Sequence, residues 1–476
     1  MPAPAPPRRQ DPLAVVVGNA SLLSLGYWLL RQRALAVVTE LVTLALVIVM
    51  VTSAQTWAEI LVLVWWAAMV VHGWLLARRQ PVRGANAGQR VAAVAVTVPV
   101  LLVVSLLRVH ADGIGQTVAD ARRSGDCPRA VHALNGVWFG PRLVDAPLAA
   151  HDDKTADACR RLRTVQDQLA LGLRTGASAT LQSGFDGLNQ VRSDFPGHEP
   201  MVSAVLTGFL AGLPTSDPCR TATVTDWLGK HQRTGPDRVR TGGVVARTAP
   251  AALTGCGDRL MATHNWSSAR TRYQQLVSQY PREHLAGHAK AGIQRATLAI
   301  QLATVRERLD TTSGVLPEYC DHPAAYSAAP PYRKGLNRAL FYASQRDSGH
   351  PYDGDYLSHV PRTWRVNLVE HATLIVCADT EKNGTTVQTC PYENKLSSYF
   401  PTTVAFHKIA IPVRAYELRT GRRVLSTTVQ IAGTSCPNPL PYTTFGGGID
   451  IGPPGNVYVN ASADDVSAAF RPVFVR

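Results

Sequence analysis

The sequence predicts a membrane-anchored multidomain protein with three successive parts. These are an α-helical transmembrane block, an α-helical middle domain and a C-terminal domain expected to be a mostly antiparallel β-sandwich. Three observations carry the prediction. Residues 34–53, 57–77 and 91–109 form three apolar runs, each near the roughly 20 residues that a helix needs to cross about 30 Å of hydrocarbon. The stretch 111–316 is rich in Ala, Leu, Arg and Gln, with apolar residues three and four apart and Gly/Pro breaks between segments. From residue 340 onward, short β-branched runs alternate with turn signals.

Residues 1–12 (MPAPAPPRRQDP) read as a proline-rich, disordered cytoplasmic tail. A secretory signal has one short apolar region and a cleavage site, so three full-length runs read as spans instead. Arg8, Arg9, Arg31 and Arg33 precede the first run, and Arg78, Arg79, Arg83 and Arg90 lie between the second and third. The gap 53–56 between the first two holds no basic residue. The positive-inside rule therefore puts the tail and the 78–90 loop in the cytoplasm and the region after Val109 outside. Trp57, Trp65, Trp66 and Trp74 suit interfacial belts and lipid contact, and Pro99 is expected to kink the third span. Glu40, Glu59 and His72 lie near span ends, where snorkelling accounts for them without a proton relay.

Residues 13–33 are the difficulty, because 13–30 (LAVVVGNASLLSLGYWLL) is nearly long enough to be a fourth span. A fourth span would reverse the orientation. Gly18, Asn19, Ser21, Ser24 and Gly26 dilute the run, and RQR follows at once. The segment is therefore expected to be interfacial or re-entrant on the cytoplasmic face.

Formal net charge is +14, of which residues 1–110 carry +6 through nine Arg against three acidic residues. The rest is spread along the chain without a dense Lys/Arg run or stacking platforms, which argues against a nucleic-acid partner. Cys127, Cys159, Cys219, Cys256, Cys320, Cys377, Cys390 and Cys436 all follow the third run. An even number confined to one side points to disulfides in an oxidising compartment. A sequential pairing is expected: 127–159, 219–256, 377–390 and 320–436. The 377–390 pair flanks a short polar stretch between two strand-like runs. With no CxxC and no His pair at zinc-finger spacing, no metal is expected.

Within the middle domain, Leu253, Cys256, Gly257, Leu260, Ala269, Tyr273, Leu276 and Pro281 resemble one tetratricopeptide repeat, a helix–turn–helix of 34 residues in that family. The resemblance implies that Gly257 and Ala269 let two helices approach while Tyr273 fills the space between neighbouring hairpins. A fainter echo has Gly184, Leu188 and Val191 in second-helix slots before Phe195-Pro196. If the family's inner binding face carries over, Thr254, Asp258 and Met261 line a partner groove; plain surface is the alternative.

Residues 317–339 read as a Pro/Tyr-rich linker, and 340–476 as the disulfide-containing β-domain. Strands are expected over 373–377, 385–390, 404–418, 423–432 and 456–460, with a hairpin turn at Thr420-Gly421 and a helix over 463–470 capped by Ser462. Tyr326, Tyr332, Tyr342, Tyr352 and Tyr356 suit a glycan groove or, more simply, a cover for the edge of the helical domain. As a whole the chain resembles an actinobacterial-type group of multi-span membrane proteins with a tetratricopeptide-like extracytoplasmic region. The residues that carry this resemblance are Gly18–Leu23, Gly26-Tyr27, Val376-Cys377, Cys390, Tyr392-Glu393, Tyr416–Gly421 and Cys436-Pro437. It implies an architecture and brings no activity with it.

No P-loop, GxSxG, HExxH, SxxK or dinucleotide fingerprint is present. Asp152-Asp153 and Asp464-Asp465 read as solvated helix starts, and Gly446–Gly448 as a flexible turn. The expectation is therefore a non-enzymatic multi-pass protein of the cell membrane, without a cofactor. Its partners are the lipid bilayer and an envelope protein, engaged by a large extracytoplasmic C-terminal region for interaction or scaffolding. The alternative is a module binding wall polymer or carbohydrate; an enzyme with its site in an interdomain cleft is a third reading.

Overall fold

The computed structural model describes residues 11–53, 56–79, 87–135, 146–231, 237–311, 315–344, 358–394, 397–442 and 452–476. Most of the tail, Arg83, Tyr352, Tyr356 and Gly446–Gly448 fall outside them. The chain divides into two compact units, Met1–Ala252 and Leu253–Arg476. The composition change at Pro317 is not a unit boundary.

The first unit begins with α1 (Pro12–Ala20) and α2 (Leu25–Leu29), followed by α3 (Arg33–Ser53), α4 (Thr56–Arg78) and α5 (Ala87–Ser124). Helices α3, α4 and α5 are long and apolar enough to cross a membrane. Only 17%, 17% and 11% of their most apolar windows is covered by protein, so nearly all that surface needs an apolar solvent. Helix α5 runs through Pro99 as one element of 38 residues, about 57 Å at 1.5 Å per residue. That exceeds a bilayer core, and its far end joins the next cluster of helices through Ala121.

Segment 11–30 folds as a hairpin that enters and leaves at one end of this bundle. Asp11, expected in the disordered tail, is 1% exposed and caps α1 by accepting from the Leu13 N–H at 3.0 Å. Its carboxylate pairs with Arg90 at the start of α5. Helix α1 then rises between α4 and α5: Thr97 donates to the Val17 carbonyl at 2.8 Å and Trp66 to the Ala20 carbonyl at 3.1 Å. After the turn at Ser21–Ser24 the chain descends, and Leu30 packs with Ala77 near the end of α4. At nine residues α1 is about 14 Å long, half a bilayer core. The polar residues that dilute the run are the buried ones: Asn19 and Ser24 are 0% exposed and Ser21 1%. They serve packing and backbone satisfaction within the bundle.

Beyond α5 the first unit continues through α6 (Cys127–Asn135), α7 (Ala146–Thr175), α8 (Ser178–Asp194), α9 (Glu199–Ala211) and α10 (Pro218–His231). They share one apolar core. Gly184 and Gly187 on α8 admit Leu169 and Val165 of α7, since a Cβ at either would lie 2.5–2.6 Å from those side chains. Cys127 is bonded to Cys159 across α6 and α7. Asp152-Asp153 sit inside α7 and do not start it. Helix α11 (Arg238–Ala262) contains the division between the units.

The second unit holds the end of α11, α12 (Trp266–Gln279), α13 (Ala286–Leu309), six strands and α14 (Ala463–Phe474). The strands are β1 (Ala339–Ala343), β2 (Leu374–Ala378), β3 (Lys382–Asn394), β4 (Ser397–Glu417), β5 (Arg422–Ile431) and β6 (Asn456–Tyr458). Among the described residues they make one mixed sheet and not the expected pair of facing sheets. Its order is β1-β2-β4-β3, with β5 and β6 also on β4; β1–β2 and β4–β6 are parallel. One face packs on α14 through Leu374, Val376, Ile409, Ile411 and Val413. The other packs on Val305 and Leu309 of α13, with Tyr319 and Cys320, through Ile375, Cys377 and Tyr416. Helices and loops thus cover both faces where a second sheet was expected, and all of β2 is buried.

The sheet order also corrects two disulfides. Strand β4 lies between β2 and β3 in the ladder, so β2 and β3 are not a hairpin and Cys377 does not face Cys390. Cys377 is bonded to Cys320, and Cys390 to Cys436, each pair with Cα atoms 6.0 Å apart. Cys219 and Cys256 are also disulfide-bonded, and no cysteine is free. Helix α14 has its Ser462 cap, with Asp465 completing a capping box, and Gly421 takes a positive φ of 67° in the β4–β5 turn.

Candidate functional site

A cleft of about 620 Å³ opens in the second unit beside β1. Its walls are Leu340, Phe341 and Tyr342 of that strand, and Arg362, Arg365, Val366 and Asn367 of the loop that follows. No pattern in the sequence announced it. ALFYA is a short run after a Pro/Tyr-rich stretch, and β1 was not among the expected strands.

Strand β1 forms an outer edge of the sheet, and its two sides are distinguishable by alternation. The Ser344 N–H donates to the Ala378 carbonyl and the Thr373 N–H to the Arg338 carbonyl, so even-numbered positions point to β2. Odd-numbered positions point outward. Gly335 and Asn337 are bonded there to Arg476 and Phe474, and the Ala339 carbonyl accepts from the Val366 N–H at 3.0 Å. Among the described residues nothing pairs with the outward groups of Phe341 and Ala343.

The side chains of the cleft are chemically mixed. The Arg362 guanidinium is exposed; Arg365, half-buried, is held in line because its backbone bridges Ala339 in parallel register. Burial pushes the Tyr342 hydroxyl above its usual pKa, keeping it a neutral donor. The cleft therefore sets a stretch of strand edge beside the Arg362 guanidinium.

Thr254, Asp258 and Met261, expected to line a partner groove, lie on α11 and not at this cleft. Thr254 is buried, 8% exposed, and Met261 is half-buried. Asp258 is exposed, but its carboxylate is engaged by the Tyr273 hydroxyl at 2.6 Å and by His288 Nε2 at 2.9 Å. Burial alone raises the Asp258 pKa, yet these two hydrogen bonds and nearby positive charge hold it below the usual carboxylate range. The set Tyr273–Asp258–His288 ties α11, α12 and α13 together. Of the tyrosines expected to line a glycan groove, Tyr326 and Tyr332 pack against the two sheet cores and Tyr342 alone of the described ones reaches the cleft. No group of three metal-ligating side chains occurs among the described residues.

Comparison of the chain with family models, with curated proteins and with solved structures finds no match to any of them.

Proposed function

We propose that this is a non-enzymatic integral membrane protein that displays the region beyond α5 outside the cell to bind a partner protein. The observation that carries the reading is the hairpin formed by residues 11–30. A segment that enters and leaves at the Arg90 end of the bundle adds no crossing, which leaves α3, α4 and α5 as an odd number of spans. With arginine-bearing ends on the cytoplasmic side, the C-terminal end of α5 emerges outside. The oxidised cysteines, all beyond α5, agree with that sidedness.

The middle helices serve in this reading as a tetratricopeptide-like support. Ala269 and Tyr273 are fully buried, and Gly257 and Gly292 flank the Tyr273 ring, as interlocking hairpins require. The cleft beside β1 is the contact region. Its mixture of open strand edge and arginine suits a polypeptide better than a sugar, which would need exposed aromatic faces.

A membrane-impermeant thiol reagent applied to intact cells tests the sidedness. The native cysteines are expected to react only after an impermeant reductant, and a cysteine placed at Gly84 only after permeabilisation. Labelling of Gly84→Cys in intact cells would falsify the orientation.

A further inference from the structure

We infer that the cleft beside β1 binds an extended, acidic peptide segment, which joins the sheet as an additional outer strand. The inference rests on the reading of the protein as a binder of polypeptide partners and names the chemistry of that partner.

The chain already uses the outer edge of this run in the same manner. Residues at the C-terminus occupy the outward positions of Gly335 and Asn337, and Val366 occupies that of Ala339. Each is bonded through its backbone. The next two outward positions, Phe341 and Ala343, continue the same line and open onto the cleft. An incoming strand there would make the main-chain bonds of β-augmentation, in which backbone pairing supplies affinity and side-chain pockets supply selectivity. Size agrees. At about 3.3 Å rise, 4.8 Å between strands and 10 Å between layers, one strand residue fills about 160 Å³, so the cleft holds about four.

Charge selects among peptides. Arg362, exposed, stands on the wall facing β1, and no acidic residue is among the described lining residues. A carboxylate on the incoming strand would meet a guanidinium, a geometry that Arg favours for bidentate pairing. A neutral or basic strand would gain the backbone bonds alone or face repulsion.

The test uses the full chain in detergent micelles and four fluorescein-labelled pentapeptides read by anisotropy. They are Thr-Val-Glu-Val-Thr, its Gln counterpart, and two forms of the Glu peptide N-methylated at alternate residues, one on each register. The Glu peptide is expected to bind, the Gln peptide about threefold more weakly, in the range of an exposed ion pair. N-methylation on the pairing register is expected to weaken binding about fivefold or more for each bond lost. Arg362→Gln should make the Glu and Gln peptides equal. Ala343→Pro removes only an outward N–H, which an edge strand tolerates, and should weaken both peptides alike.

Equal binding of Glu and Gln peptides to the native chain, indifference to N-methylation on both registers, or binding of none of the four overturns the inference. Because these measurements are made on purified protein, they are independent of sidedness. Binding with the cysteines found in the cytosol would sink the envelope reading alone, and correct sidedness without binding would sink this one alone.

Discussion

The Tyr273 hydroxyl donates to the Asp258 carboxylate across 2.6 Å, and it is the polar end of a ring enclosed by two glycines. A Cβ at Gly257 would lie 2.4 Å from the ring and one at Gly292 2.7 Å, on helices either side of it. Neither contact involves a mobile side-chain tip. Gly257→Ala and Gly292→Ala are each expected to destabilise the second unit by about 1–3 kcal/mol, the usual cost of overpacking. Tyr273→Phe should cost about 1 kcal/mol through the lost hydrogen bond. Thermal unfolding of the full chain in detergent measures all three, and Gly257→Ala combined with Tyr273→Leu should recover part of the loss.

The same contact predicts a pH dependence. The Asp258 carboxyl has a lower pKa folded than unfolded, so its contribution is complete above its ordinary value near 4. It fades as the pH falls through the depressed folded value. Asp258 is 46% exposed, which keeps the effect small. Asp258→Asn should therefore flatten the acid limb of the stability profile and leave the neutral region within about 1 kcal/mol of the native chain. An unchanged acid limb in the variant would mean that the carboxylate is not held by Tyr273 and His288.

Non-reducing peptide mapping is expected to return Cys320 linked to Cys377 and Cys390 linked to Cys436. These bonds close 57- and 46-residue separations, and removing either pair as Ser should cost about 2–4 kcal/mol. A 377–390 peptide as the main species would contradict the order of the sheet itself.

The hairpin at the front of the chain makes its own prediction. A Cβ at Gly26 would meet the Asn19 side chain at 2.3 Å and the Val15 carbonyl at 2.4 Å. Gly26→Ala is expected to displace α2 from α1, and a cysteine placed at Leu22 should then become reactive in micelles. In the parent chain, where the neighbouring Ser21 and Ser24 are buried, the same cysteine should react more slowly. Equal rates in the two backgrounds would show that the close packing of Gly18, Asn19 and Gly26 is not what holds the turn.

How much was legible follows from the range of each signal. The three long helices were readable because 20 successive apolar residues admit few other structures. Ser462 and Thr420-Gly421 were readable because caps and turns are settled within four residues. Strand partners are not local. Nothing near Cys377 reveals that Tyr416 and Ala415, almost 40 residues on, will lie beside β2 and force the chain of Cys390 to the far half of β4. The cleft was hidden for the same reason, since Phe341 and Arg365 are brought together by one bridge and a sheet edge. In the front segment Asn19 and Ser24 misled in the opposite sense. Polarity that suggested an aqueous boundary turned out to satisfy buried backbone and side-chain partners, Met69 and Thr39 among them.

Strand β4 is the common partner of β2, β3, β5 and β6. A ribosome delivers Cys320, Cys377 and Cys390 before it delivers the piece of chain that separates the last two. Until β4 is finished, the nearest thiols in sequence are the wrong couple, and oxidation at that moment would trap them. Correct maturation therefore calls for slow oxidation or a catalyst of thiol–disulfide exchange. A host lacking such an activity should accumulate a scrambled form even if it inserts the front of the protein faultlessly.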